Sequence, residues 1–475
     1  MTQIQYKNVE SRDIEKLKGI VGDNNVITER DSLIDYSHDE FALEDIRHFP
    51  DVVVKPRNTE EVSRVVGLCN EERVPLTPRG GGTGLCGGCV PSHGGIVLTL
   101  DNMTRIIEID TKNLLAQVEA GLRLMDFYSA VEGNGLFFPP HPGDESAAIG
   151  GVIATNAGGA RALKYGVIRN FIRGIEVVLP TGEVVQLGGK FFKTSSGYNL
   201  MHLVIGSEGT LGIVTKAIIG LMPPSKTMYT LVASYQHLQD AINTVPAIIK
   251  NKIIPMAIEF MDRKTVTISS QHLQKKWPFS RGEAYLMMIV DGNSFEEVAA
   301  LGEKINEVCS EYNAIEVLAA DTKARQRDIL DIRSNIYEAM KTHTLEILDL
   351  TVPRGEIADF VEEIQDLSDE YGTWLPTYGH AADGNVHTHI MRSIWKEGEW
   401  TEIEDCRKLY PVVRKRLHDL GRKYEGICSG EHGIGIVKKE YLESFLDAKQ
   451  IDLMRAIKKA FDPNLILNPD KIFNL

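Results

Sequence analysis

The feature that most constrains the fold of this chain is a glycine-rich stretch, PRGGGTGLCGGCVP, at residues 78–91. Because glycine has no side chain, successive backbone N–H groups in such a loop can converge on an anion, and a pyrophosphate is the natural guest. Gly82, Gly84 and Gly87 match the dinucleotide-binding fingerprint by spacing. That fingerprint opens a helix, whereas Cys89-Val90-Pro91 follows here, so the sequence predicts a phosphate-binding loop of a different type from the Rossmann turn.

Two further glycine-rich loops follow in the same half of the chain. PPHPGDESAAIGGVIATNAGGARALKYG spans residues 139–166, and GSEGTLGIV spans residues 206–214. A single loop of this kind would be interpreted as a set of tight turns. Three such loops, separated by predicted strands, instead favour a large phosphate-bearing cofactor.

The pattern of apolar residues around these loops predicts an α+β fold. Strands are predicted at DVVVKPR (51–57) and in the pair GIEVVLPTGEVVQLGG (174–189), and a helix capped by Asn58 and Glu61 follows the first of them. In the second half of the chain, longer helices, such as one around residues 323–342, alternate with strands. The 475 residues are too many for one compact core. We predict three segments, which are residues 1–222, 223–425 and 426–475.

Charge and hydropathy exclude several classes of partner. The formal net charge of −14 argues against binding to nucleic acid or to an anionic membrane. No run of about 18 apolar residues is present, so no transmembrane helix is predicted. The polar start, MTQIQYKNVESRDIEKLKGI, lacks the features of a signal peptide, which predicts a cytoplasmic protein. Cys86 and Cys89 form a CxxC motif, which we interpret as small loop or core residues rather than a redox pair, because a glycine loop surrounds them.

The second half of the chain carries a histidine-rich sequence, TYGHAADGNVHTHI, at residues 377–390. His380 and His387 flank Asp383-Gly384-Asn385, a turn-forming sequence that should make the two imidazoles face each other across a bend. His389 follows two residues after His387 and should share its face of a strand.

A fourth glycine loop, CSGEHGIGIVK (428–438), places Glu431 next to His432. Two imidazoles and one carboxylate form a competent ligand set for Zn, Mn or Fe(II) that leaves positions open for a substrate. The residues alone leave open whether the histidines bind a metal or are ordinary loop residues.

Taken together, PRGGGTGLCGG, IGGVIATNAGGARALKYG and LVIGSEGTLGIVT resemble the FAD-binding loops of the vanillyl-alcohol oxidase/p-cresol methylhydroxylase superfamily. The similarity is greatest to the branch that contains D-lactate dehydrogenases, the flavin subunit of glycolate oxidase and D-2-hydroxyglutarate dehydrogenases, and it extends to the tail FDPNLILNPDKIF. The resemblance implies a two-part FAD-binding domain and an α+β substrate or cap domain with an antiparallel sheet. Residues 426–475 would complete the active site and return to the FAD domain.

The resemblance also implies how FAD is held. Residues Arg79 to Leu85 would cradle the pyrophosphate, and the remaining positions would contact other parts of the cofactor. The full set is Pro78, Arg79, Gly80, Gly81, Gly82, Thr83, Gly84, Leu85, Pro142, Gly143, Ile149, Gly150, Gly151, Asn156, Gly158, Tyr165, Gly166, Glu208, Gly212, Ile213 and Asn468. Relatives with covalent flavin usually carry a histidine in the first loop, and this loop has none, so FAD should be non-covalent.

The motifs GHxxDGNxH and GEHG are similar to the metal and catalytic motifs of the same branch. Carried over by position, the metal ligands would be His380, His387 and Glu431, and the general base would be His432. The substrate would contact Arg333, Tyr337, Asn385 and His389, with Arg333 and Tyr337 one turn apart on a predicted helix. Ile347 occupies a position that is lysine in relatives that handle a second carboxylate, which favours a short monocarboxylate.

The resemblance therefore implies an FAD- and metal-dependent dehydrogenase of a small D-2-hydroxy acid, with D-lactate favoured and the hydride transferred to flavin N5. The chain has neither a nicotinamide site nor cysteines for its own iron–sulfur cluster, so electrons should pass to an electron-transfer flavoprotein or an iron–sulfur subunit. Dehydrogenases of glycolate or D-2-hydroxyglutarate, oxygen-using alcohol oxidases and a redox-neutral ether-lipid synthase are the alternatives within the superfamily. Outside it, the alternatives are a metal-dependent hydrolase with structural glycine loops, and a scaffold that binds FAD without turnover.

Overall fold

The computed structural model describes residues 5–320 and 322–475 and divides the chain into two compact units. The first unit comprises Met1–Gly158, Val167–Pro224 and Glu431–Leu475, and the second comprises Gly159–Gly166 and Ser225–Gly430. The predicted boundaries after residues 222 and 425 lie near two of these changes of unit. The excursion of Gly159–Gly166 into the second unit is not predicted from the sequence.

Helices and strands occur along the whole described chain. The α-helices are α1 (Ser11–Val21), α2 (Arg30–Leu33), α3 (Thr59–Glu72), α4 (Leu124–Gly133), α5 (Ile149–Thr155), α6 (Ala162–Tyr165), α7 (Met201–Val204), α8 (Leu238–Lys250), α9 (Arg263–Leu273), α10 (Phe295–Glu311), α11 (Lys323–Ser334), α12 (Ile336–Met340), α13 (Ile357–Glu370), α14 (Cys406–Lys423), α15 (Lys439–Phe445) and α16 (Ala448–Phe461). The strands are β1 (Val26–Ile27), β2 (Val52–Val54), β3 (Leu76–Arg79), β4 (Ile96–Thr99), β5 (Ile106–Asp110), β6 (Leu115–Glu119), β7 (Ile172–Val178), β8 (Val184–Gly188), β9 (Ile213–Gly220), β10 (Thr227–Tyr235), β11 (Ala257–Asp262), β12 (Ala284–Gly292), β13 (Glu316–Ala319), β14 (Thr344–Thr351), β15 (Thr377–His380), β16 (Asn385–Met391), β17 (Ser393–Lys396) and β18 (Glu399–Glu402). Short 3₁₀ helices cover Asp23–Asn25, Ile34–Tyr36, Glu44–Ile46, Ile168–Asn170, Lys341–His343 and Arg354–Glu356.

The first unit contains two sheets. One has the strand order β1-β2-β4-β3, and the other has the order β5-β6-β9-β7-β8. Helix α3 begins as predicted, because the side chain of Asn58 accepts a hydrogen bond from the N–H of Glu61 at 3.0 Å. Strand β3 ends at Arg79, which places the first glycine loop at the end of a strand in the four-stranded sheet.

The second unit is built on one seven-stranded antiparallel sheet of order β13-β10-β12-β11-β15-β16-β14, and β17 and β18 form a separate hairpin. The central strands are buried along almost their entire length on both faces. Apolar residues are therefore expected throughout them, and each polar side chain in these strands needs a specific partner. The α+β class and the antiparallel sheet predicted for this half of the chain are confirmed.

The single helix predicted around residues 323–342 is wrong in one respect. The structure has two helices, α11 and α12, that meet at Asn335. The side chain of Asn335 donates to the carbonyl of Asp331 at 2.9 Å, and its backbone (φ −97°, ψ 12°) leaves the helical region. Arg333 and Tyr337 therefore lie on two helices and not one turn apart on the same helix.

A membrane-spanning segment was not predicted. Within the described ranges, none of the helices has the length and apolar content that crossing a bilayer would require.

Candidate functional site

The first glycine loop, in the first unit, follows β3 without opening a helix, so the exclusion of a Rossmann turn is confirmed. Gly82 has φ +77°, and a Cβ there would lie 2.0 Å from Nη2 of Arg79. Arg79 in turn donates from Nη1 to the carbonyl of His38 at 2.7 Å and contacts Sγ of Cys89 at 3.1 Å. The left-handed backbone favours glycine at residue 82, and a side chain there would displace the guanidinium of Arg79.

The second glycine loop packs against the first through backbone atoms. A Cβ on Gly80 would lie 3.3 Å from Cβ of Ala148 and 3.4 Å from the backbone nitrogen of Gly151, where α5 begins its first turn. A Cβ on Gly81 would lie 3.2 Å from the carbonyl oxygen of Ser146. The two loops thus present a surface of main chain with few side chains, which suits close approach of a phosphate group.

Asp39, which the sequence does not single out, holds the first loop in place. Its carboxylate accepts from the N–H of Gly87 at 2.7 Å and from the N–H of Phe41 at 3.2 Å. Burial raises the pKa of Asp39 to about 6, although its hydrogen bonds and Arg79 favour the ionised form. No motif could have identified this residue, because it lies in a separate segment before β2.

The third glycine loop and the tail of the chain meet at Glu208. Its carboxylate accepts from the N–H of Ile434 at 2.7 Å and from the N–H of Gly435 at 2.8 Å, and burial raises its pKa. Asn468 donates from Nδ2 to the carbonyl of Gly88 at 2.9 Å and to that of Glu208 at 2.7 Å. This brings together three of the predicted FAD-binding segments within the first unit.

Two buried polar atoms beside Glu208 have no hydrogen-bond partner among the described residues, namely Oδ1 of Asn468 and Oγ of Ser207. Buried oxygens of this kind are normally satisfied by a ligand or by water. Together with the main-chain surface of the first two loops, they fit a cofactor that carries both phosphates and hydrogen-bonding rings. Ser207 lies within GSEG, so the motif itself could have identified it.

Three other residues predicted to contact FAD lie in different surroundings. Asn156 (φ 52°) ends α5 and accepts from the N–H of Arg169 at 3.1 Å. A Cβ on Gly212 would lie 2.5 Å from the side chain of Val177, so this glycine allows packing between strands. Tyr165 belongs to the second unit, where its hydroxyl donates to Asp291 at 3.1 Å.

The remaining members of the predicted set have simpler surroundings. Gly143 has open space around it, and Pro78 packs within 2.7 Å of the Cβ position of Gly209. Gly150 packs on Ala120, and Ile213 is buried at the start of β9. Gly84 accepts at its carbonyl from the N–H of Glu40 at 2.9 Å. The N–H of Ile149 donates to the carbonyl of Leu122 at 2.8 Å, and that of Gly166 donates to the carbonyl of Ala162 at 2.8 Å. Thr83 and Leu85 are half-buried in the first loop, and Pro142 is buried in the second.

The histidine-rich sequence forms a hairpin of β15 and β16 in the second unit. Tyr378 pairs with His387 and His380 pairs with Asn385, so all four side chains lie on one face of the sheet. The imidazoles of His380 and His387 are perpendicular, with ring centroids 5.3 Å apart. The two histidines face each other across the turn, as the turn residues predict.

Glu259, on the neighbouring strand β11, stands directly opposite His380. Its Oε1 lies 2.7 Å from Nδ1 of His380, and its Oε2 accepts from Nε of Arg333 at 3.0 Å and from Nη2 of the same guanidinium. Burial alone would raise the pKa of Glu259, but the charges and hydrogen bonds of Arg333 and His380 outweigh it and lower the pKa. One carboxylate therefore holds both a predicted metal ligand and the predicted substrate arginine.

Glu259 is not among the residues predicted from motifs, although the sequence around it is unusual. It is the one carboxylate at the centre of the apolar run AIEFM, between the fully buried Ile258 and Phe260. A charged residue in such a strand requires a partner, so it could have been identified as a candidate.

His389 is fully buried, and both of its ring nitrogens are engaged. Nε2 lies 3.0 Å from the hydroxyl of Tyr378, and Nδ1 lies 2.9 Å from the hydroxyl of Thr344. A neutral imidazole donates at one nitrogen and accepts at the other, so these contacts fix its orientation. His389, which is predicted to contact the substrate, thus has its two ring nitrogens engaged by Tyr378 and Thr344, neither of which the sequence singles out.

Arg333 and Tyr337 reach the same face from α11 and α12. The guanidinium carbon of Arg333 lies 4.9 Å from the ring centroid of Tyr378, and the ring of Tyr337 lies 5.9 Å from that of His389. Ile347, on β14, pairs with His389 and is buried on the same face. The break at Asn335 thus does not separate the two predicted substrate residues, because the sheet brings them back together.

Asn385 is oriented towards the backbone rather than outwards. Its Nδ2 donates to the carbonyl of Asp349 and to the hydroxyl of Thr351, each at 3.2 Å, and a Cβ on Gly430 would lie 2.4 Å from it. The N–H of Gly430 donates to the carbonyl of Asp349 at 2.9 Å and to its carboxylate at 3.0 Å. Asn385 and Asp349 thereby anchor the segment that leads into the GEHG motif.

Glu431 and His432 are the first two residues of the returning part of the first unit. Oε2 of Glu431 lies 2.9 Å from the Cβ position of Gly158, and Oε1 lies 4.0 Å from Nε2 of His432. Any larger residue at position 158 would therefore displace the carboxylate of Glu431. Gly158, which is predicted to contact FAD, thus also leaves room for the carboxylate of Glu431.

The donor set fits a divalent cation by its chemistry. In the second unit, two imidazoles converge on one face, and Nδ1 of one of them is fixed by a carboxylate, which is the usual environment of a metal-binding histidine. The two imidazoles supply nitrogen donors of the kind that Zn, Mn and Fe(II) accept in proteins.

Two protein families match successive parts of the chain. Residues 50–188 match the family described as FAD binding domain, and residues 224–472 match the family described as FAD linked oxidases, C-terminal domain. The chain is similar to a D-lactate dehydrogenase of Anaerostipes hadrus, with 40% identity over 99% of both proteins. It is 44% identical to a D-lactate dehydrogenase of Archaeoglobus fulgidus, over 89% of this chain and 91% of that protein. It is 41% identical to glycolate oxidase subunit GlcD of Bacillus subtilis, over 97% and 96% respectively.

Solved structures of lower identity share the fold. The 4-ethylphenol oxidase from Gulosibacter chungangensis has a TM-score of 0.80 at 20% identity, and p-cresol methylhydroxylase has a TM-score of 0.79 at 18% identity. Each similarity covers 98% of both chains. At this level of identity the similarity concerns the architecture and not the reaction.

Proposed function

Because the chain belongs to the family of FAD-linked oxidases, within the vanillyl-alcohol oxidase/p-cresol methylhydroxylase superfamily, we propose that it is a metal-dependent dehydrogenase of D-lactate. The observation that carries this proposal is the polar face of the second unit, where His380, His387 and Arg333 converge. Its relatives named D-lactate dehydrogenase, at 40–44% identity, support the choice of substrate. The product would be the corresponding 2-oxo acid.

Each group of residues would have a distinct part in the reaction. FAD, when bound by the glycine loops, accepts a hydride at N5, and a divalent cation, when bound, lowers the pKa of a hydroxyl group that it coordinates. His432 would take the proton of the substrate hydroxyl on an imidazole nitrogen, because imidazole is the side chain that commonly acts as a general base in enzymes. Arg333 would pair with the substrate carboxylate, since Glu259 engages only its Nε and Nη2 edge.

The metal would be held by His380, His387 and Glu431. Gly430 precedes Glu431 directly and is hydrogen-bonded to Asp349, which pairs with His387 across β14 and β16. The similarity of the GEHG motif to the metal motif of the same branch supports Glu431 as the third ligand.

A small substrate is favoured by Ile347. It pairs with His389 on the polar face and is 6% exposed, so it offers no charge to a second carboxylate. Glycolate is the second candidate substrate, because the chain is 41% identical to glycolate oxidase subunit GlcD. Glycolate differs from lactate by one methyl group, and a single methyl group gives only about 10- to 200-fold discrimination in a hydrophobic pocket.

The reaction is tested by anaerobic reduction of the purified protein with D-lactate, L-lactate, glycolate and D-2-hydroxyglutarate. Loss of the visible flavin absorbance should be fastest with D-lactate. A colourless preparation that cannot be reconstituted with FAD would favour a metal-dependent hydrolase, and a yellow protein that no hydroxy acid reduces would favour a scaffold. Equal rates for D-lactate and D-2-hydroxyglutarate would show that a residue other than Ile347 sets the substrate size.

We further propose that a protein partner, either an electron-transfer flavoprotein or an iron–sulfur subunit, reoxidises the flavin. This rests on the failure of the first loop to form a Rossmann turn, which removes the one nicotinamide-like motif. With D-lactate, the isolated chain should reduce an artificial dye rapidly and NAD⁺ or oxygen slowly. Rapid reduction of NAD⁺ would overturn the proposal, and fast formation of peroxide would identify an oxidase.

A further inference from the structure

Glu259 joins two parts of the proposed active site that have different tasks. One oxygen of its carboxylate faces Nδ1 of His380, and the other faces the guanidinium of Arg333. The residue is 1% exposed and lies on β11, the strand next to the histidine hairpin. We propose that Glu259 is a positioning residue that orients the metal ligand and the substrate arginine together, so that both sites depend on one carboxylate. The proposal rests on the function proposed above.

The contact with His380 determines which nitrogen binds a cation. An ionised carboxylate only accepts hydrogen bonds, so Nδ1 of His380 carries the proton at the 2.7 Å contact with Glu259. The lone pair of the ring is then on Nε2, which is the ligand atom. A carboxylate behind a histidine also makes that histidine a better metal ligand, and loss of such a carboxylate typically weakens metal affinity about 10- to 100-fold.

The contact with Arg333 determines the orientation in which the guanidinium would bind the substrate carboxylate. Nε and Nη2 of the guanidinium both face Oε2 of Glu259, and its carbon lies over the ring of Tyr378. The planar group is therefore held in one orientation before substrate arrives, which lowers the entropy cost of binding. Without Glu259, a long flexible side chain would have to be ordered by the substrate itself.

Stability alone does not account for a carboxylate at this place. Glu259 lies between the fully buried Ile258 and Phe260, in the middle of the sheet. Burying an ion pair costs about as much desolvation energy as its attraction returns, and apolar replacements are often as stable. A shared role in the site explains why the pair is present on the face that also carries His387.

The test compares Glu259→Gln with a matched control, Glu346→Gln. Glu346 is also 1% exposed and in the same sheet, and it pairs with Arg414 at 2.7 Å and with the hydroxyl of Tyr410 at 2.7 Å. It precedes Ile347 on β14 and so points to the opposite face of the sheet. The control therefore breaks a buried carboxylate–arginine pair without touching the proposed site.

Three quantities are measured on the full chain loaded with FAD, namely the Kd for Zn²⁺ by competition with a chelator, the KM and kcat for D-lactate, and the Tm. Glu259→Gln should weaken Zn²⁺ binding about 10- to 100-fold and raise the KM for D-lactate, while Glu346→Gln should lower only the Tm. Glu259→Asp keeps the charge but is one methylene shorter, so it should give intermediate values and serves if the glutamine variant does not fold.

The outcomes separate this inference from the proposed function. Native Zn²⁺ affinity and native KM in both Glu259 variants, with a lowered Tm, would leave Glu259 a structural residue and overturn the inference. A native chain that binds Zn²⁺ more tightly than Glu259→Gln but oxidises no hydroxy acid would support the positioning of His380 and contradict the proposed substrate. A native chain that binds no metal would overturn both.

Discussion

The glycine loops of the first unit and the polar face of the second unit do their work with different parts of the chain. In the first unit, the surface available to a ligand is main chain, as around Gly80 and Gly81, where side chains are excluded by close contact. In the second unit, it is a set of side chains, led by Glu259 and His380, that converge from separate strands and helices. In the first unit, the loops are short continuous sequences that must lack side chains. In the second unit, tertiary packing brings together side chains that are far apart in the sequence.

This difference predicts that the two regions can be disabled independently. Changes in the loops should remove the flavin, and with it all redox chemistry. Changes on the polar face should leave a yellow protein that does not turn over.

The largest effect is expected from His387→Ala. Loss of one of two imidazole ligands should release the metal and slow oxidation of D-lactate by about 1,000-fold or more, since a bound cation contributes several kcal/mol to such reactions. FAD content, measured by absorbance per chain, should stay at the native value. His432→Ala should also lose turnover but keep its metal, because it removes the proposed base rather than a ligand.

The control for His387→Ala is His272→Ala, an exposed histidine near the end of α9 in the same unit. It should keep metal, flavin and rate. Loss of flavin from His387→Ala would contradict the independence of the two regions.

A smaller effect is expected from Gly82→Ala in the first loop. Alanine at φ +77° costs about 1–2 kcal/mol, and its Cβ would force the guanidinium of Arg79 away from the carbonyl of His38. We expect FAD affinity to fall about tenfold or more, which corresponds to about 1.4 kcal/mol. Fluorescence of released flavin measures this Kd, and Zn²⁺ affinity should be unchanged.

Gly133→Ala is the matched control, because this glycine ends α4 with nothing within 4 Å of its Cβ position. If Gly82→Ala and Gly133→Ala bind FAD with equal affinity, the first loop tolerates a side chain. That result would contradict the view that the ligand surface of the first unit must be main chain.

Ile347→Lys should shift the choice of substrate by about tenfold towards D-2-hydroxyglutarate, since a hydrogen bond to a charged group contributes about 1.5–3 kcal/mol. The ratio of kcat/KM for D-2-hydroxyglutarate and D-lactate measures the shift. Ile347→Met, which keeps an apolar side chain, should leave the ratio unchanged. If the lysine variant also leaves it unchanged, the distal end of a longer substrate does not lie near residue 347.

The smallest effect is expected from Tyr378→Phe. The ring that lies under Arg333 is kept, and only the hydroxyl that contacts Nε2 of His389 is lost. The free energy of unfolding in urea should fall by about 1 kcal/mol, with KM for D-lactate within a factor of a few of the native value. A large rise in KM would show that the hydroxyl of Tyr378 contacts the substrate directly.

The same contrast explains what could be predicted from the sequence. The glycine loops could be recognised because the constraint acts on consecutive residues, and the pair His380 and His387 could be recognised because one turn joins them. Glu259 lies 121 residues from His380 and 74 from Arg333, so only the strand register of the folded sheet brings them together. Asp39 is similar, since its link to Gly87 crosses 48 residues.

The break in the helix at Asn335 was missed for a local reason. The residues from Lys323 to Met340 favour a helix by composition, and the structure interrupts it at Asn335, whose backbone N–H and side chain both donate to the carbonyl of Asp331. Helical periodicity does not contain that information.

The independence of the two regions is tested most directly by removing the metal from the native protein. After treatment with a chelator and desalting, the protein should keep its full flavin absorbance, because the proposed FAD site lies in the loops of the first unit. Anaerobic addition of D-lactate should then leave the flavin oxidised, and subsequent addition of Zn²⁺, Mn²⁺ or Fe²⁺ should restore its bleaching. Rapid bleaching by D-lactate in the metal-free protein would contradict the account, because the histidine face would then be dispensable for the reaction.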